Sequence, residues 1–165
     1  MTTLRRQRRA LALLAVLCGA GLGVAPDLPQ ARAATTELVV IDWQTGLAIY
    51  GFDPVAYFTD RQPRLGQDAL ELHHAGAIWR FRNEGNRAAF AKHPGVYLPA
   101  YGGYDPMALA GGLARPGHPE FWAIHKQRLF LFYSPEARQD FERDPEAAIL
   151  KADGRWPQVS KSLTP

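Results

Sequence analysis

Two stretches of the chain alternate apolar and polar residues in the way that is typical of antiparallel β-strands. The first hairpin is predicted at residues 70–81 with its turn at 75–76, and the second at residues 121–133 with its turn at 126–127. After each hairpin, a capping residue precedes a short helical pattern with one inward phenylalanine. The corresponding pairs are Asn83 and Ser134 as caps, Phe90 and Phe141 as core residues, and Pro94 and Pro145 as stops.

These two stretches form an internal repeat. At a shift of 51 residues the identical pairs include Arg64 and Arg115, Gly66 and Gly117, His74 and His125, Arg87 and Arg138, Phe90 and Phe141, and Pro94 and Pro145. The segments GFDPVA and GYDPMA add a run at a shift of 52. Such repetition indicates two copies of one supersecondary unit, at residues 51–98 and 103–149. The sequence therefore predicts an α+β fold in which two pseudo-repeated β-hairpin plus short helix units pack as one compact domain.

The flanks of the repeat are assigned by their patterns. Residues 34–50 form a leader in which residues 38–41 favour an edge strand. After residues 144–145 the second unit continues into an amphipathic helix that is predicted to end near Gly154. The whole domain is predicted at residues 51–157, with a C-terminal tail at residues 158–165.

An Asp-Pro pair occurs three times, at Asp53, Asp105 and Asp144. The carboxylate can cap a helix start and the proline ring pre-sets the first helical φ angle, so each pair is predicted to begin a helical turn. An alternative is an enzyme that uses Asp53, Asp105 and a histidine, brought together if the units pack with pseudo-twofold symmetry. Capping alone explains the Asp-Pro spacing, and the prediction is therefore a protein without catalysis of its own.

The first 33 residues have the pattern of an export signal. Four arginines within residues 5–9 precede an apolar run, and Ala31-Arg32-Ala33 has the small-x-small pattern of a cleavage site. The run is shorter than the roughly 20 residues that span a bilayer. We expect residues 1–33 to be a cleaved signal peptide, by the Sec or the twin-arginine route, and the mature protein to be periplasmic or secreted, with no stable membrane span.

Removal of this segment changes the charge and the cysteine content. It holds five of the 19 Lys and Arg residues and one of the 16 Asp and Glu residues, which leaves 14 basic and 15 acidic residues. The positive net charge of the whole chain is therefore no argument for nucleic-acid binding. The only cysteine, Cys18, is lost as well, so the mature chain has no thiolate ligand or cysteine nucleophile.

Several segments together resemble exported proteins of the YHS-domain family. They are GFDPVAYF from Gly51, LHHAGAIWRF from Leu72, NRAAFAKHPGVYLPAYGGY from Asn86, and ADGRWP from Ala152. The resemblance covers about residues 51–157 and implies a compact β-hairpin-plus-helix domain. In metal-associated relatives, cysteines near the Asp-Pro pair and after the hairpin bind copper or related ions, and many exported members have no established activity.

This sequence departs from that metal-binding pattern. Ala56, Arg82 and Asp105 stand where such relatives place cysteine. Any metal site would have to use histidines and carboxylates, which suit Zn(II) or Cu(II). His74 and His125 occupy equivalent hairpin ends and are the candidate metal ligands, with turn or surface histidines as the alternative.

The remaining candidates concentrate around the Tyr-Gly-Gly-Tyr segment between the units. Its aromatic rings could wall a cleft whose polar tips orient a small ligand, or could instead cover the seam of the core. The ligand-binding candidates are Tyr57, Tyr101, Tyr104, Asp53 and Asp105. The sequence thus favours a binding module for a small ligand or metal ion, with a structural or protein-interaction domain that has lost its metal site as the alternative.

Overall fold

The chain folds into two β-hairpins, each followed by helices, in a computed structural model that describes residues 38–163. The strands are β1 (Gln67–His74), β2 (Ala77–Phe81), β3 (His118–His125) and β4 (Arg128–Phe132). The helices are α1 (Ala56–Thr59), α2 (Glu84–Lys92), α3 (Pro94–Tyr97), α4 (Pro106–Ala110), α5 (Pro135–Arg143) and α6 (Pro145–Ser162). Two 3-10 segments, Ile49–Gly51 and Ala100–Gly103, precede α1 and α4. The predicted α+β architecture is confirmed, while the predicted signal segment lies outside the described residues.

The two hairpins have the same register, residue for residue. In β1 and β2, His74 lies opposite Ala77; in β3 and β4, His125 lies opposite Arg128. Each first strand also carries an irregularity at the same place, between residues 67 and 71 and between residues 118 and 122. The sequence repeat therefore reflects a repeated backbone as well as repeated residue types.

The two hairpin turns differ in how well their residues suit the backbone. Both central residues have positive φ angles in each turn, 51° and 77° at Ala75 and Gly76, and 46° and 62° at Lys126 and Gln127. This left-handed conformation favours glycine or asparagine. The second turn contains neither, so it is the more strained of the two.

We therefore expect Gln127→Gly to stabilise the protein by about 0.5 to 1 kcal/mol, because glycine adopts the positive φ angle without the steric cost of a side chain. Chemical denaturation of the variant and the parent checks this. Gln127→Ala is the matched control, since it shortens the side chain and keeps the unfavourable φ angle. Equal destabilisation by both changes would contradict the assignment of strain to this turn.

The second hairpin lies between two hydrophobic cores. Leu129 and Leu131 face the first core, which also contains the large side chains of the first repeat unit, residues 51–98, called unit one; residues 103–149 are unit two. Phe130 and Phe132 face the second core, together with residues of α4, α5 and α6. Because side chains alternate along a strand, β4 supplies both cores with fully buried residues.

The two units pack head to tail, without pseudo-twofold symmetry. Tyr57 of α1 contacts Trp122 of β3 edge to face, at 5.3 Å between ring centroids. Leu109 lies three residues after Pro106, as Tyr57 lies three residues after Pro54. Twofold packing would therefore place Leu109 against Asp68 and Glu71 of β1, the positions that correspond to the two contacts of Tyr57 in β3. Instead, the Asp68 side chain is 86 % exposed, and Leu109 lies in the second core. That core is completed by α6, which covers unit two much as the second hairpin covers unit one.

The leader differs from its predicted form. Residues 38–41 do not form a regular edge strand and make a single bridge, between Ile41 and Ala48. Val39 belongs to the first core and Val40 to the second. The leader therefore runs between the two cores, and the burial of its side chains in both explains the apolar run that predicted an edge strand.

The C-terminal helix is longer than predicted. It continues past Gly154 and Pro157 to Ser162, so residues 158–162 of the predicted tail belong to α6. Val159 is buried in the second core, and Trp156 packs against its edge. This tertiary contact favours continuation of the helix despite the internal proline.

Candidate functional site

Asp53 is a fully buried carboxylate at the start of unit one. Its Oδ1 accepts a hydrogen bond from the backbone N–H of Val55, at 2.8 Å. Its Oδ2 accepts from the backbone N–H of Arg82, at 2.8 Å, and from the side-chain amide of Asn86, at 2.6 Å. The carboxylate thus ties the turn before α1 to the end of β2 and to α2.

Asp105 makes the corresponding connection in unit two. Its Oδ1 accepts from the backbone N–H of Met107, at 2.7 Å, and its Oδ2 from that of Tyr133, at 2.9 Å. Position 137, which corresponds to Asn86, is alanine, so the side-chain amide bond has no counterpart in unit two. We call these two carboxylates and their backbone donors the aspartate joints.

The prediction that Asp-Pro pairs begin helices is confirmed at α4 and α6, where Asp105 and Asp144 are the N-caps. At Asp53 the pair forms a turn and α1 begins later, at Ala56. Both oxygens of each aspartate joint accept hydrogen bonds from amides inside the fold, so no buried carboxyl oxygen is left without a donor. The geometry therefore assigns the joints a role in holding each hairpin to the following helix.

The candidate tyrosines lie within or at the edge of the cores. Tyr57 is fully buried and its hydroxyl donates to the carbonyl of Pro119, at 2.9 Å. Tyr101 donates to Oδ1 of Asp153 in α6, at 2.8 Å. Tyr104 is 6 % exposed and its ring lies 6.1 Å from that of Trp156. These side chains cover the seams between elements of the core, which is the arrangement expected from the sequence as the alternative to a ligand cleft.

Burial raises the pKa of Tyr57, and the nearby Asp53 and Glu120 carboxylates raise it further. A folded-state pKa above the unfolded value contributes stability that is complete below about pH 10 and is lost as the pH rises beyond it. We expect Tyr57→Phe to cost about 1 kcal/mol at pH 7, through the lost hydrogen bond, and to weaken the fall in stability above pH 10. Urea denaturation at pH 7, 9 and 10.5 measures both effects, and Tyr133→Phe, at a half-exposed ring, is the control.

The two candidate metal ligands occupy equivalent places, as the repeat predicts, but each packs within its own unit. His74 lies edge to face on Phe90, and His125 on Phe141. Nε2 of His125 also lies 2.8 Å from Oε1 of Glu146, whose pKa is lowered by hydrogen bonds from Lys126 and His125. Within residues 38–163, no three His, Cys, Asp or Glu side chains are grouped as a metal site requires. Metal binding by His74 and His125 stays a prediction.

Two grooves lie on the surface of the part of the chain that the structure describes, and none of the candidate ligand residues lines either of them. One lies between β1 and α2, and the larger lies between α4 and α6. The larger groove was not predicted from the sequence. The sequence does contain a pattern that could have indicated a cationic groove. Lys151 and Arg155 are one helical turn apart in the C-terminal helix, and neither has an acidic residue three or four positions away.

A tryptophan is displayed on an ordered turn of the leader. Trp43 is 84 % exposed. The turn is closed by the backbone N–H of Gly46, which donates to the carbonyl of Asp42 at 2.7 Å. The Asp42 side chain also accepts from the backbone N–H of Gln44, at 2.9 Å. The indole is therefore presented to solvent by a turn that is fixed by its own hydrogen bonds.

Of the helices within residues 38–163, none is long and apolar enough to cross a membrane. Comparison of the chain with models of known families, with curated proteins and with solved structures gave no match.

Proposed function

We propose that the chain is an exported, non-catalytic protein-interaction domain of YHS-like type in which the metal site of related proteins has been lost. The observation that carries this proposal is the exposure of Trp43 on its hydrogen-bonded turn. Tryptophan is enriched among the residues that dominate binding energy at protein interfaces. A side chain held in place before binding also loses less conformational entropy when a partner docks.

The placement of the other candidates supports an interaction domain over a small-ligand site. Asp53, Asp105 and Tyr57 lie in the interior with their polar atoms bonded to protein groups. A ligand would have to break those bonds to reach them, which is unfavourable for buried polar groups. The absence of cysteine from the mature sequence likewise removes the thiolate ligands of metal-associated relatives.

The proposal is tested by photo-crosslinking in cells that export the protein. The residue at Trp43 is replaced with p-benzoylphenylalanine in the full-length chain, and Leu65, which is 64 % exposed on another loop, receives the same replacement as a control. We expect a discrete protein adduct from position 43 only. Cell fractionation should place the chain outside the cytoplasm, with its N-terminus near residue 34.

A small-ligand or metal function would give different results. Position 43 would give no specific adduct. Zn(II) or Cu(II) at a hundredfold excess over its dissociation constant would stabilise the folded protein by about 2.7 kcal/mol. The stabilisation would disappear in a His74→Ala, His125→Ala double variant. That combination would contradict the interaction proposal and favour the metal-binding alternative.

A further inference from the structure

The groove between α4 and α6 has an aliphatic wall and a floor of small residues. Its volume is about 470 Å³, and its lining is Ala110, Leu150, Lys151, Gly154 and Arg155. Leu150 is 75 % exposed. A Cβ atom added at Gly154 would meet nothing within 4 Å. The groove therefore has room for an apolar side chain beside Leu150.

In the described part of the chain, the two cations of the groove lack the acidic partners that arginines of α2 and α5 have within their own helices. In α5, Arg138 pairs with Glu142 at 2.8 Å, and in α2, Arg87 pairs with Glu84 at 2.8 Å. Lys151 and Arg155 make no ion pair with any residue that the structure describes. Two like charges at positions i and i+4 of a helix are mildly destabilising. An acidic ligand would relieve this repulsion.

We propose that this groove binds an acidic segment of a partner polypeptide. Carboxylates of the segment pair with Lys151 and Arg155, the guanidinium offering two parallel hydrogen bonds, and an aliphatic side chain packs against Leu150 over Gly154. The proposal rests on the proposed interaction function and adds a second contact surface to Trp43.

The shape of the groove favours a polypeptide over other anions. Small-molecule sites enclose most of their ligand, whereas this groove is an open channel on the protein surface. A bound peptide needs only one side to be covered, and it can supply acidic and aliphatic side chains together. A lipid surface would instead need a broad cationic face, and the groove offers two cations beside one leucine.

The test is a selection of displayed 12-residue peptides against the full chain, followed by fluorescence anisotropy with the selected peptides. We expect peptides that combine Asp or Glu with Leu, Ile or Met. Their affinity should fall about tenfold or more in Lys151→Glu, Arg155→Glu, and should fall with added salt. A double variant with the same charge change elsewhere, Arg64→Glu, Lys92→Glu, should bind as the parent does.

A second variant tests the groove without changing its charge and without destabilising the fold. Gly154→Leu fills the groove and replaces a helix-interior glycine, so it should not lower the melting temperature. We expect it to weaken peptide binding about fivefold. Unchanged binding in Gly154→Leu, or equal loss of affinity in both charge variants, overturns the proposal.

The remaining outcomes separate this proposal from the proposed function. Selected peptides that lose affinity in Trp43→Ala, with no effect of the groove variants, would support an interaction domain and overturn the groove site. Binding to vesicles that contain anionic phosphatidylglycerol, dependent on Lys151 and Arg155 and without peptide selection, would identify the groove as a lipid contact and also overturn it. No peptide binding together with no crosslink at position 43 would contradict both proposals.

Discussion

Replacing Asp53 with alanine is expected to lower the free energy of unfolding by about 3 to 5 kcal/mol. The change leaves three donors without their acceptor, namely the backbone N–H groups of Val55 and Arg82 and the side-chain amide of Asn86. Each buried donor that loses its partner costs about 1 to 3 kcal/mol. The loss would be a large fraction of the 5 to 15 kcal/mol that stabilises a typical domain. Urea denaturation followed by tryptophan fluorescence measures it.

Two variants serve as controls for this prediction. Asp105→Ala should cost somewhat less, about 2 to 4 kcal/mol, because its third donor, the backbone N–H of Ala108, lies at 3.4 Å, whereas the Asn86 amide lies 2.6 Å from Asp53. Asp68→Ala, at a carboxylate that is 86 % exposed, should cost less than about 1 kcal/mol although it pairs with Arg80. A small effect at Asp53, equal to that at Asp68, would show that the aspartate joint does not hold the hairpin to the helix.

Replacing Gly66 with alanine is expected to destabilise the protein by about 3 kcal/mol or more. A Cβ atom at this position would lie 2.5 Å from the carbonyl carbon of Arg80 and 2.6 Å from the backbone nitrogen of Phe81. Backbone atoms cannot move away as a flexible side chain can, so β2 would have to shift as a whole. Gly117→Ala should have a similar effect, since its Cβ atom would lie 2.8 Å from the carbonyl carbon of Leu131.

Gly95 provides the matched control for the glycine variants. A Cβ atom there would meet nothing within 4 Å. Because Gly95 lies in α3, alanine is expected to leave stability unchanged or to raise it by up to about 1 kcal/mol. Thermal unfolding of the three variants compares them directly. Equal melting temperatures for Gly66→Ala and Gly95→Ala would contradict the close approach of Gly66 to the backbone of β2.

The repeat could be predicted from the sequence because it rests on local signals. Alternating strands, the Asn83 and Ser134 caps and the phenylalanines Phe90 and Phe141 all follow from short-range preferences, and the structure has each of them where it was expected. The way in which the units pack could not be predicted. It depends on which face of the second hairpin is covered, and that is decided by contacts such as Tyr57 with Trp122, which are 65 residues apart in the sequence.

The candidate site was harder to predict than the fold, for a related reason. Aspartates and tyrosines are equally suited to binding ligands and to bonding the interior, and the sequence alone does not distinguish these uses. The sequence predicts Asp53 and Asp105 both as helix caps and as ligand candidates. Their second oxygens bond to the N–H groups of Arg82 and Tyr133, more than 25 positions away, and this long-range partner was not visible in the capping pattern.

Amide hydrogen exchange at Arg82 and Tyr133, measured by NMR in the parent protein and in the two aspartate variants, tests most directly whether the two aspartates hold the hairpins to the helices. Both N–H groups donate to an aspartate carboxylate just beyond the end of a strand. We expect both to exchange orders of magnitude more slowly than in an unstructured peptide, and each to lose this protection when its own aspartate becomes alanine. Exchange at the unprotected rate in the parent protein would contradict the claim that the two aspartates are structural joints.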